Sequence, residues 1–340
     1  MATHVTDHAR ADDAVVLVLL DDPAAAPRPT TFELLTLAAR VGSPLVVAFG
    51  PLGPAATDAL GAFGVTDVLQ LDVAGEDATL PPAAARALAQ AVRGTGATLL
   101  LLPSTFLHKE TAALAARELG AGLLIDVASL RRAGDGGVVG GKRVFAGTWD
   151  TECEVTTPLA VATVRANAVR PEALGAPVGE PAVAVESVDA AGTAHGVTLR
   201  AREEVAHGAD DGRPALAEAT LVVAGGRGTG GDFGPVTELA DVLGAAVGAT
   251  RDVVEEGWIG HDAMVGQTGT TIAPRLYIGA GISGAPHHRG GMQAAETIVA
   301  VNIDAEAPLV EIADFAVVGD LASVLTEAAE VIRAHRAASA

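Results

Sequence analysis

The first half of the chain alternates short, continuously apolar runs with amphipathic stretches. Four of the apolar runs have the length of a strand: Ala14–Leu20, Pro44–Phe49, Val65–Leu71 and Ala97–Leu102. Helical spacing of apolar residues follows each run and predicts helices at Thr31–Val41, Pro54–Phe63, Pro82–Val92 and Glu110–Leu119. Strands that are apolar throughout are buried on both faces, and strands joined by helices pair in parallel. The pattern therefore predicts a doubly wound α/β layer with right-handed crossovers.

From Ala128 onward the alternation changes. Val138–Phe145 and Glu154–Val164 have strand character with no helix between them. This predicts some antiparallel pairing at the edge of the sheet. Two further strand-like segments, Val183–Val188 and Gly196–Glu204, lie in a stretch rich in Gly, Ala and Pro.

A second α/β unit is predicted from Ala217 onward. Its strands are expected at Thr220–Ala224, Leu276–Ile278, Ile298–Asn302 and Phe315–Val318. Its helices are expected at Pro235–Leu243 and Asp320–His335, with one helical turn at Ala294–Ile298. The acidic segment His207–Arg213 is the predicted linker. The fold class is thus α/β with two domains, 1–206 and 214–340, each a mostly parallel, doubly wound sheet of the Rossmann or flavodoxin type.

Composition and charge exclude several functions. The chain of 340 residues carries a formal net charge of −20, and aromatic residues make up 3%. An acidic surface without basic runs or stacking aromatics argues against a nucleic-acid partner. The single cysteine, Cys153, excludes an intrachain disulfide and a cysteine metal cluster. The polar N-terminus and the absence of a long apolar stretch predict a cytoplasmic protein without an integral membrane segment.

Candidate binding groups cluster in the second unit. Gly225–Gly231 follows an apolar strand and precedes a helix, and its Arg227 suits a phosphate. It is neither a GxGxxG nor a Walker sequence, so a flexible turn with a solvated arginine is an equal alternative. Thr250 and Arg251, and then Gln267, Thr268 and Gly269, offer the polar groups that a flavin or nucleotide ring needs. Ordinary loops contain the same residue types.

The segment from Tyr277 to His288 is the most informative one. A strand runs into a glycine turn that presents Ser283, Gly284 and the adjacent residues His287 and His288. Adjacent side chains point apart, and no Asp, Glu or Cys stands close by in sequence, so a loop that grips a cofactor is favoured over a metal site.

Two polar residues follow predicted strands further along. Asn302 and Asp320 stand where open α/β sheets hold ligands. Both residue types also cap helices, and for Asp320 we regard capping as equally plausible.

The sequence shows no catalytic group. Ser104, Thr105 and His108 share one strand-to-helix turn but lack an acidic third member, and Cys153 has no neighbour that would activate it. A pure electron carrier needs no such group, because its cofactor performs the redox chemistry.

These segments, in this order, resemble the electron-transfer flavoprotein alpha subunit family. The resemblance is dense from Leu221 to about Leu321 and rests on the runs Val265–Gly269, Leu276–Ala285 and Thr297–Asn302. The N-terminal half resembles the family in architecture and in weak patches only. The resemblance implies that domain 1–206 is structural and contacts a partner, and that domain 214–340 binds FAD.

The resemblance also implies roles for individual positions. By position, the residues that hold the FAD diphosphate and adenosine are Arg227, Thr250, Ser283, Asn302 and Asp320. Gly269, Gly284, His287 and Leu321 belong to the same implied site. Gln267 and Thr268 match polar contacts to the flavin ring, with Thr268 at N5. Arg251 matches an arginine against the isoalloxazine, and His288 a histidine near the carbonyl O2.

The chain departs from the family pattern at several positions. His287 stands where Gln is common and follows Pro286, and Gly279 and Ala280 replace a more usual Ala-Val or Ala-Leu pair. Ile303 stands where Lys is typical, and Ala322 with Ser323 replaces a Phe-Lys pair. The lost lysines leave fewer positive charges near the adenosine.

The resemblance implies a heterodimer with a beta subunit that carries AMP. Electrons would arrive from acyl-CoA dehydrogenases or other flavoprotein dehydrogenases, as in fatty acid β-oxidation, and leave toward a quinone-reducing flavoprotein. The chain itself would turn over no substrate. The alternatives are a dehydrogenase that acts directly on a small molecule with FAD or NAD, a nucleotide-binding regulatory module, and an electron-bifurcating member with a second FAD in the beta subunit.

Overall fold

A computed structural model describes residues 14–134, 136–145, 148–193, 197–201 and 212–339. Its contacts divide the chain into two compact units. Unit 1 comprises Met1–Lys142 and Thr151–Glu203, and unit 2 comprises Arg143–Asp150 and Glu204–Ala340. The domain limits inferred from the sequence stay a prediction, and residues 207–211 of the predicted linker lie outside the described residues.

Strands and helices alternate along the chain up to residue 120, and the described residues between 121 and 201 form strands but no helix. In chain order the elements are β1 (Val15–Leu20), α1 (Pro29–Val41), β2 (Ser43–Phe49), α2 (Pro54–Phe63), β3 (Asp67–Ala74), α3 (Pro81–Thr95), β4 (Leu99–Pro103), α4 (Phe106–Leu119), β5 (Gly122–Val127), β6 (Ser129–Arg132), β7 (Val138–Val144), β8 (Trp149–Glu154), β9 (Ala160–Val164) and β10 (Ala182–Asp189). The predicted strands and helices before residue 120 are all present.

Seven of these strands form one parallel sheet in the order β10-β3-β2-β1-β4-β9-β5. Alternate residues of the central strand β1 enter two different apolar clusters. Val16 and Val18 pack on one face, whereas Leu17 and Leu19 pack on the other. Both faces are covered, which explains the unbroken apolar runs in the sequence. The doubly wound α/β prediction is confirmed.

The edge of this sheet differs from the prediction. The antiparallel pair is β6 with β7, and it belongs to a separate three-stranded sheet ordered β6-β7-β8. Of the single strand expected at Glu154–Val164, Glu154 is the last residue of β8, residues 155–159 form no strand, and Ala160–Val164 is β9, which lies inside the parallel sheet between β4 and β5. Pro158 stands between β8 and β9, where its missing N–H prevents a continuous ladder. Residues 197–201 of the strand expected at Gly196–Glu204 form no strand; the others lie outside the described residues.

Unit 2 contains the remaining strands and α-helices. They are β11 (Leu221–Gly225), α5 (Gly234–Leu243), β12 (Ala246–Ala249), α6 (Arg251–Glu255), β13 (Leu276–Ala280), α7 (Pro286–Met292), β14 (Thr297–Asn302), α8 (Pro308–Glu311), β15 (Phe315–Val318) and α9 (Leu321–Ser339). Five strands pair in parallel in the order β12-β11-β13-β14-β15. Val222 and Tyr277 are buried in an apolar cluster on one face of this sheet. Val223 and Val301 are buried in a second cluster on the other face. The second α/β unit is therefore also confirmed.

One predicted helix of unit 2 is wrong. The helical turn expected at Ala294–Ile298 does not form, and helix α7 instead spans Pro286–Met292. Proline suits the first turn of a helix, because its missing N–H has no partner there. Within the described residues, no helix combines the length and apolar character needed to cross a membrane.

Candidate functional site

A cleft of about 730 Å3 opens at the carboxyl ends of strands β11 to β14. Many of the residues singled out from the sequence line it: Arg227, Thr250, Arg251, Ser283, Gly284, His287, His288, Asn302, Asp320 and Leu321. Gln267, Thr268 and Gly269 are not among its lining residues. The carboxyl edge of a parallel sheet is where α/β proteins hold ligands, so this cleft is the candidate site.

Two glycine turns pack against each other at the base of the cleft. The N–H of Gly226 donates to the Ala280 carbonyl, and the N–H of Gly228 donates to the Gly281 carbonyl, both at 3.0 Å. A Cβ at Gly228 would lie 2.6 Å from the Gly281 Cα, and Gly281 has a φ of 62°. Glycine is therefore required at both positions, because a side chain would separate the turns.

Both arginines of the cleft are paired with carboxylates. The Arg227 Nε lies 3.1 Å from the Asp252 Oδ2, and the Arg251 Nε lies 2.6 Å from the Glu255 Oε1. All four side chains are more than half exposed. Exposed ion pairs contribute little stability. An anionic ligand can therefore bind the two arginines in place of these carboxylates, or beside them, with little loss of stability.

Asn302 and Asp320 stabilise backbone turns. The Asn302 Nδ2 donates to the Ile282 carbonyl at 2.9 Å, and its Oδ1 accepts from the Asp304 N–H at 3.1 Å. The Asp320 Oδ2 accepts from the backbone N–H and the hydroxyl of Ser323, both at 2.9 Å. The Ser323 backbone N–H is the main reason that the pKa of Asp320 lies below its usual value. Asp320 is thus the N-cap of α9, and Asn302 holds the β13 turn against the loop after β14.

Thr250 and Ser283 lie on turns that their own backbones secure. The Thr250 N–H donates to the Gly225 carbonyl at 3.1 Å, which joins the ends of β11 and β12. The Ser283 carbonyl accepts from the Leu309 N–H at 3.0 Å, which joins the β13 turn to α8. The Ser283 side chain is exposed, and that of Thr250 is half-buried. Both backbone positions are therefore defined independently of any ligand.

The two histidines have opposite environments. His287 is exposed, whereas His288 is buried with 6% of its surface accessible. The His288 Nε2 lies 2.6 Å from the Tyr277 hydroxyl, and its Nδ1 lies 3.2 Å from the Val265 carbonyl oxygen. Burial lowers the pKa of His288 to about 4, so the ring is neutral at pH 7. Its implied role beside a flavin carbonyl stays a prediction.

The loop between α6 and β13 lies next to helix α7. The Gln267 N–H donates to the His287 carbonyl at 3.1 Å, and the Gln267 side chain packs against Gly290. Gln267 and Thr268 are exposed. Their implied contacts with a flavin ring stay a prediction. Among the described residues, no group of three or more His, Cys, Asp or Glu side chains is placed to hold a metal.

Unit 1 contains a polar cluster that the sequence did not reveal in full. The His108 Nε2 lies 3.2 Å from the Asp21 Oδ1, and its Nδ1 lies 3.0 Å from the Thr105 Oγ1. The expectation that His108 lacks an acidic neighbour is therefore wrong, because β1 and β4 are adjacent and Asp21 follows β1. The Thr105 Oγ1 also accepts from the His108 N–H at 3.1 Å. This arrangement is that of a helix cap.

Comparison with known proteins places both units in one family. Residues 16–194 match the electron transfer flavoprotein domain, and residues 215–293 match the electron transfer flavoprotein FAD-binding domain. The electron transfer flavoprotein subunit alpha of Mycobacterium leprae is 40% identical over 327 residues, which are 95% of this chain and 99% of that protein. The chain belongs to the electron transfer flavoprotein alpha-subunit family.

Other members of the electron transfer flavoprotein alpha-subunit family are also similar. The subunit of Mycobacterium tuberculosis is 42% identical over 328 residues, covering 95% of this chain and 99% of the relative. That of Paracoccus denitrificans is 47% identical over 151 residues, covering 44% of this chain and 48% of the relative. The FAD-binding match contains β11 to α7, which supply most of the cleft, whereas Asn302 and Asp320 lie beyond it.

Sequence reasoning missed two acidic residues of this electron transfer flavoprotein cleft. Asp252 and Glu255 line it and pair with its arginines. The spacing of Arg251 and Glu255, four residues apart, is the signal that would have found one pair. Helix α6, which carries both acids, has 5 residues and offers too few periodic positions to be predicted.

Proposed function

We propose that this chain is the FAD-carrying subunit of an electron carrier that passes single electrons between flavoprotein partners. The observation that carries the proposal is the cleft at the carboxyl ends of β11 to β14, in the unit that contains the match to the FAD-binding domain. A dinucleotide binds at this edge in open α/β folds. The chain would work as a heterodimer with a beta subunit.

The residues of the cleft fit the diphosphate and adenosine of FAD. Gly228 and Gly281 keep side chains away from the base of the cleft, so that a ligand reaches the backbone. Arg227 is exposed there, and its guanidinium matches phosphate geometry. Ser283 and Thr250 add hydroxyl groups, and Asn302 and Asp320 hold the surrounding turns. Gly284 and Leu321 also line this part of the cleft.

Other residues of the cleft suit the flavin ring. Arg251 and His287 are exposed side chains on α6 and α7, and both line the cleft. Cationic or N–H donors beside a reduced flavin favour its added negative charge. We assign Gln267, Thr268 and Gly269 to the same ring, since their loop contacts the backbone of His287. When bound, the flavin supplies the one-electron chemistry, and the protein tunes its potential.

The partner assignments follow from the same proposal. The donors are acyl-CoA or other flavoprotein dehydrogenases, and the acceptor is a quinone-reducing flavoprotein. The beta subunit carries AMP. The net charge of −20 supports encounters with positively charged partner surfaces. We place the carrier in the cytoplasm and assign it no substrate turnover of its own.

One experiment tests these assignments together. The chain is co-expressed with the beta subunit, and the purified complex is examined by visible spectroscopy and by the mass of its released cofactors. We expect one FAD and one AMP per heterodimer, and reduction of the flavin by a reduced acyl-CoA dehydrogenase. A second FAD in place of AMP would identify the electron-bifurcating alternative.

Two other outcomes contradict the proposal. Reduction of the flavin by a metabolite without a partner flavoprotein would indicate a dehydrogenase, with the exposed His287 as its acid or base. A colourless complex that retains only a nucleotide would indicate a regulatory module.

Arg333→Ala is a matched control for substitutions of cleft arginines, because Arg333 is an exposed arginine that pairs with Glu238 at 2.7 Å and does not line the cleft.

A further inference from the structure

Unit 1 contains a pocket whose charged lining is entirely positive. The pocket measures about 500 Å3 and opens at the amino ends of β1, β2, β4 and β9. Arg40 and Arg132 line it, and no Asp or Glu is among the described residues that do. The chain as a whole has 42 acidic and 22 basic residues, so this local excess of positive charge runs against its composition. The volume is that of a small-molecule site.

The guanidinium of Arg132 is held by uncharged acceptors. Its Nε donates to the Val41 carbonyl at 2.8 Å, its Nη1 to the Gly136 carbonyl at 3.1 Å and its Nη2 to the Thr98 Oγ1 at 3.0 Å. Partial burial lowers the pKa of this guanidinium, and no carboxylate of the described residues forms an ion pair with it. A half-buried charge without a counterion is unfavourable, and an anion in the pocket would compensate it.

The polar groups left over in the pocket are hydrogen-bond donors. An arginine has five N–H groups, so two of those on Arg132 have no acceptor among the contacts above. The Thr98 hydroxyl accepts from Arg132, which leaves its own hydrogen for another acceptor. Arg40 pairs with Glu172 at 2.9 Å, but both side chains are at least 45% exposed, so this pair is weak. A ligand that only accepts hydrogen bonds fits this set of groups.

We propose that the pocket binds a small oxyanion with two negative charges, a phosphate monoester or a dicarboxylate, between Arg132 and Arg40. The planar guanidinium group donates two parallel hydrogen bonds to either kind of oxyanion. The inference does not depend on the proposed function, because the pocket belongs to unit 1 and the candidate cofactor cleft to unit 2.

A purely structural role for Arg132 is the alternative. Val41 is the last residue of α1, and a cation is favourable beside the carbonyl groups at the end of a helix. Arg132 would then only join β6 to α1 and to the residue before β4. That role requires no ligand, and it predicts that no anion binds to the pocket.

Calorimetric titration distinguishes the two roles. The full chain is purified as the flavin-loaded heterodimer in a chloride buffer, so that the cofactor cleft is filled. It is titrated at constant ionic strength with inorganic phosphate and, separately, with succinate. We expect saturable binding of one anion in unit 1, and the tighter of the two probes identifies the class of ligand.

Substitutions assign the binding to the pocket. Arg132→Lys keeps the charge but loses the planar donor group, so the affinity should fall about tenfold. Arg40→Gln should weaken binding about threefold, whereas Glu172→Gln removes the competing carboxylate and should strengthen it about twofold. The matched control is Arg86→Gln, because Arg86 is 46% exposed, pairs with Glu118 at 2.9 Å and does not line the pocket. This control should bind the anion as the unmodified chain does.

Two results would overturn the inference. One is the absence of saturable binding by either probe up to concentrations on the order of 10 mM. The other is an equal affinity in Arg40→Gln, Glu172→Gln and Arg86→Gln, which would show that any bound anion lies elsewhere. If Arg132→Lys does not fold, the Arg40 and Glu172 variants decide. If the complex carries no flavin, the proposed function fails, and the differences between these variants still decide the inference.

Discussion

The Nε of Arg227 lies 3.1 Å from the Oδ2 of Asp252, so the guanidinium proposed to meet the FAD diphosphate already has a carboxylate partner. The two side chains come from different turns, at the carboxyl ends of β11 and β12. A phosphate that approaches Arg227 meets the negative charge of Asp252 as well. The pair is exposed, and its strength is therefore modest.

Replacement of Asp252 by Asn is expected to tighten FAD binding. The variant removes one negative charge from the cleft and frees Arg227, and the energy of an exposed pair corresponds to a gain of about two- to fivefold in affinity. Fluorescence titration of the flavin-depleted heterodimer with FAD measures this gain. Asp241→Asn is the matched control, since Asp241 is an exposed partner of Arg213 at 2.7 Å and does not line the cleft. Equal affinities in the two variants would remove Arg227 from the diphosphate site.

Changes at Arg251 and Glu255 are expected to move the flavin potential in opposite directions. Arg251→Ala removes a positive charge and should lower the potential, whereas Glu255→Gln removes the adjacent negative charge and should raise it. Both residues are exposed, so the fold should be unaffected. Spectroelectrochemical titration gives the potentials, and Arg333→Ala serves as the control. Shifts of the same sign in both variants would contradict the assigned position of Arg251.

Two substitutions of Asp320 separate capping from ligand binding. Asp320→Asn keeps an N-cap and loses the charge, whereas Asp320→Ala loses both. If the residue only caps α9, the alanine variant should lower Tm by a few degrees and the asparagine variant should resemble the unmodified chain. If it also binds the adenosine, both variants should retain less FAD after gel filtration. Full flavin retention by both variants would leave capping as its role.

The cap of α9 should also depend on pH. The pKa of Asp320 in the folded chain lies below its ordinary value of 3.8, chiefly because the Ser323 backbone N–H stabilises the carboxylate. A depressed carboxyl pKa contributes stability above the unfolded pKa, and this contribution is lost as the pH falls through the folded value. The difference in urea midpoint between the unmodified chain and Asp320→Ala should therefore shrink below pH 3.8. A constant difference would contradict the capping contact.

His288 predicts a second pH effect at higher pH. Its pKa is about 4 in the folded chain, whereas the ordinary value for histidine is 6.5. Between these values the unfolded chain binds more protons, so stability falls as the pH drops from 6.5 to 4, by an amount on the order of 3 kcal/mol. His288→Gln should flatten this part of the urea-midpoint profile, and the exposed His261→Gln should not. Parallel profiles for all three proteins would show that burial does not lower the pKa of His288 in the folded chain.

The fold was predicted correctly where a pattern of apolar residues extends over several consecutive positions. Runs such as Ala14–Leu20 are apolar at every position because both sheet faces are covered, so composition alone marks them as strands. The strand β5 was missed, since it follows α4 after a short turn and carries an aspartate, Asp126, near its end. The helices α6 and α8 are too short to show a period.

Individual side-chain roles were less predictable. Asp320 was equally suited to a cap and to a ligand, and the structure shows the cap. Sequence also gave no means to distinguish His287 from His288, because neighbours on a helix differ only in which direction they face. Helix α7 begins at Pro286, and packing of the helix exposes the first histidine and buries the second.

Patterns in the amino-acid sequence were sufficient to predict the two α/β layers, the family resemblance and the glycine turns that end the strands of the second unit. These depend on contacts between residues near one another along the chain and on steric limits of single residues. Three contacts became apparent from the folded structure and not from the sequence: Asp252 with Arg227, Asp21 with His108, and Tyr277 with His288. Each of these pairs joins separate elements, and their approach depends on strand order and register, which no local pattern encodes.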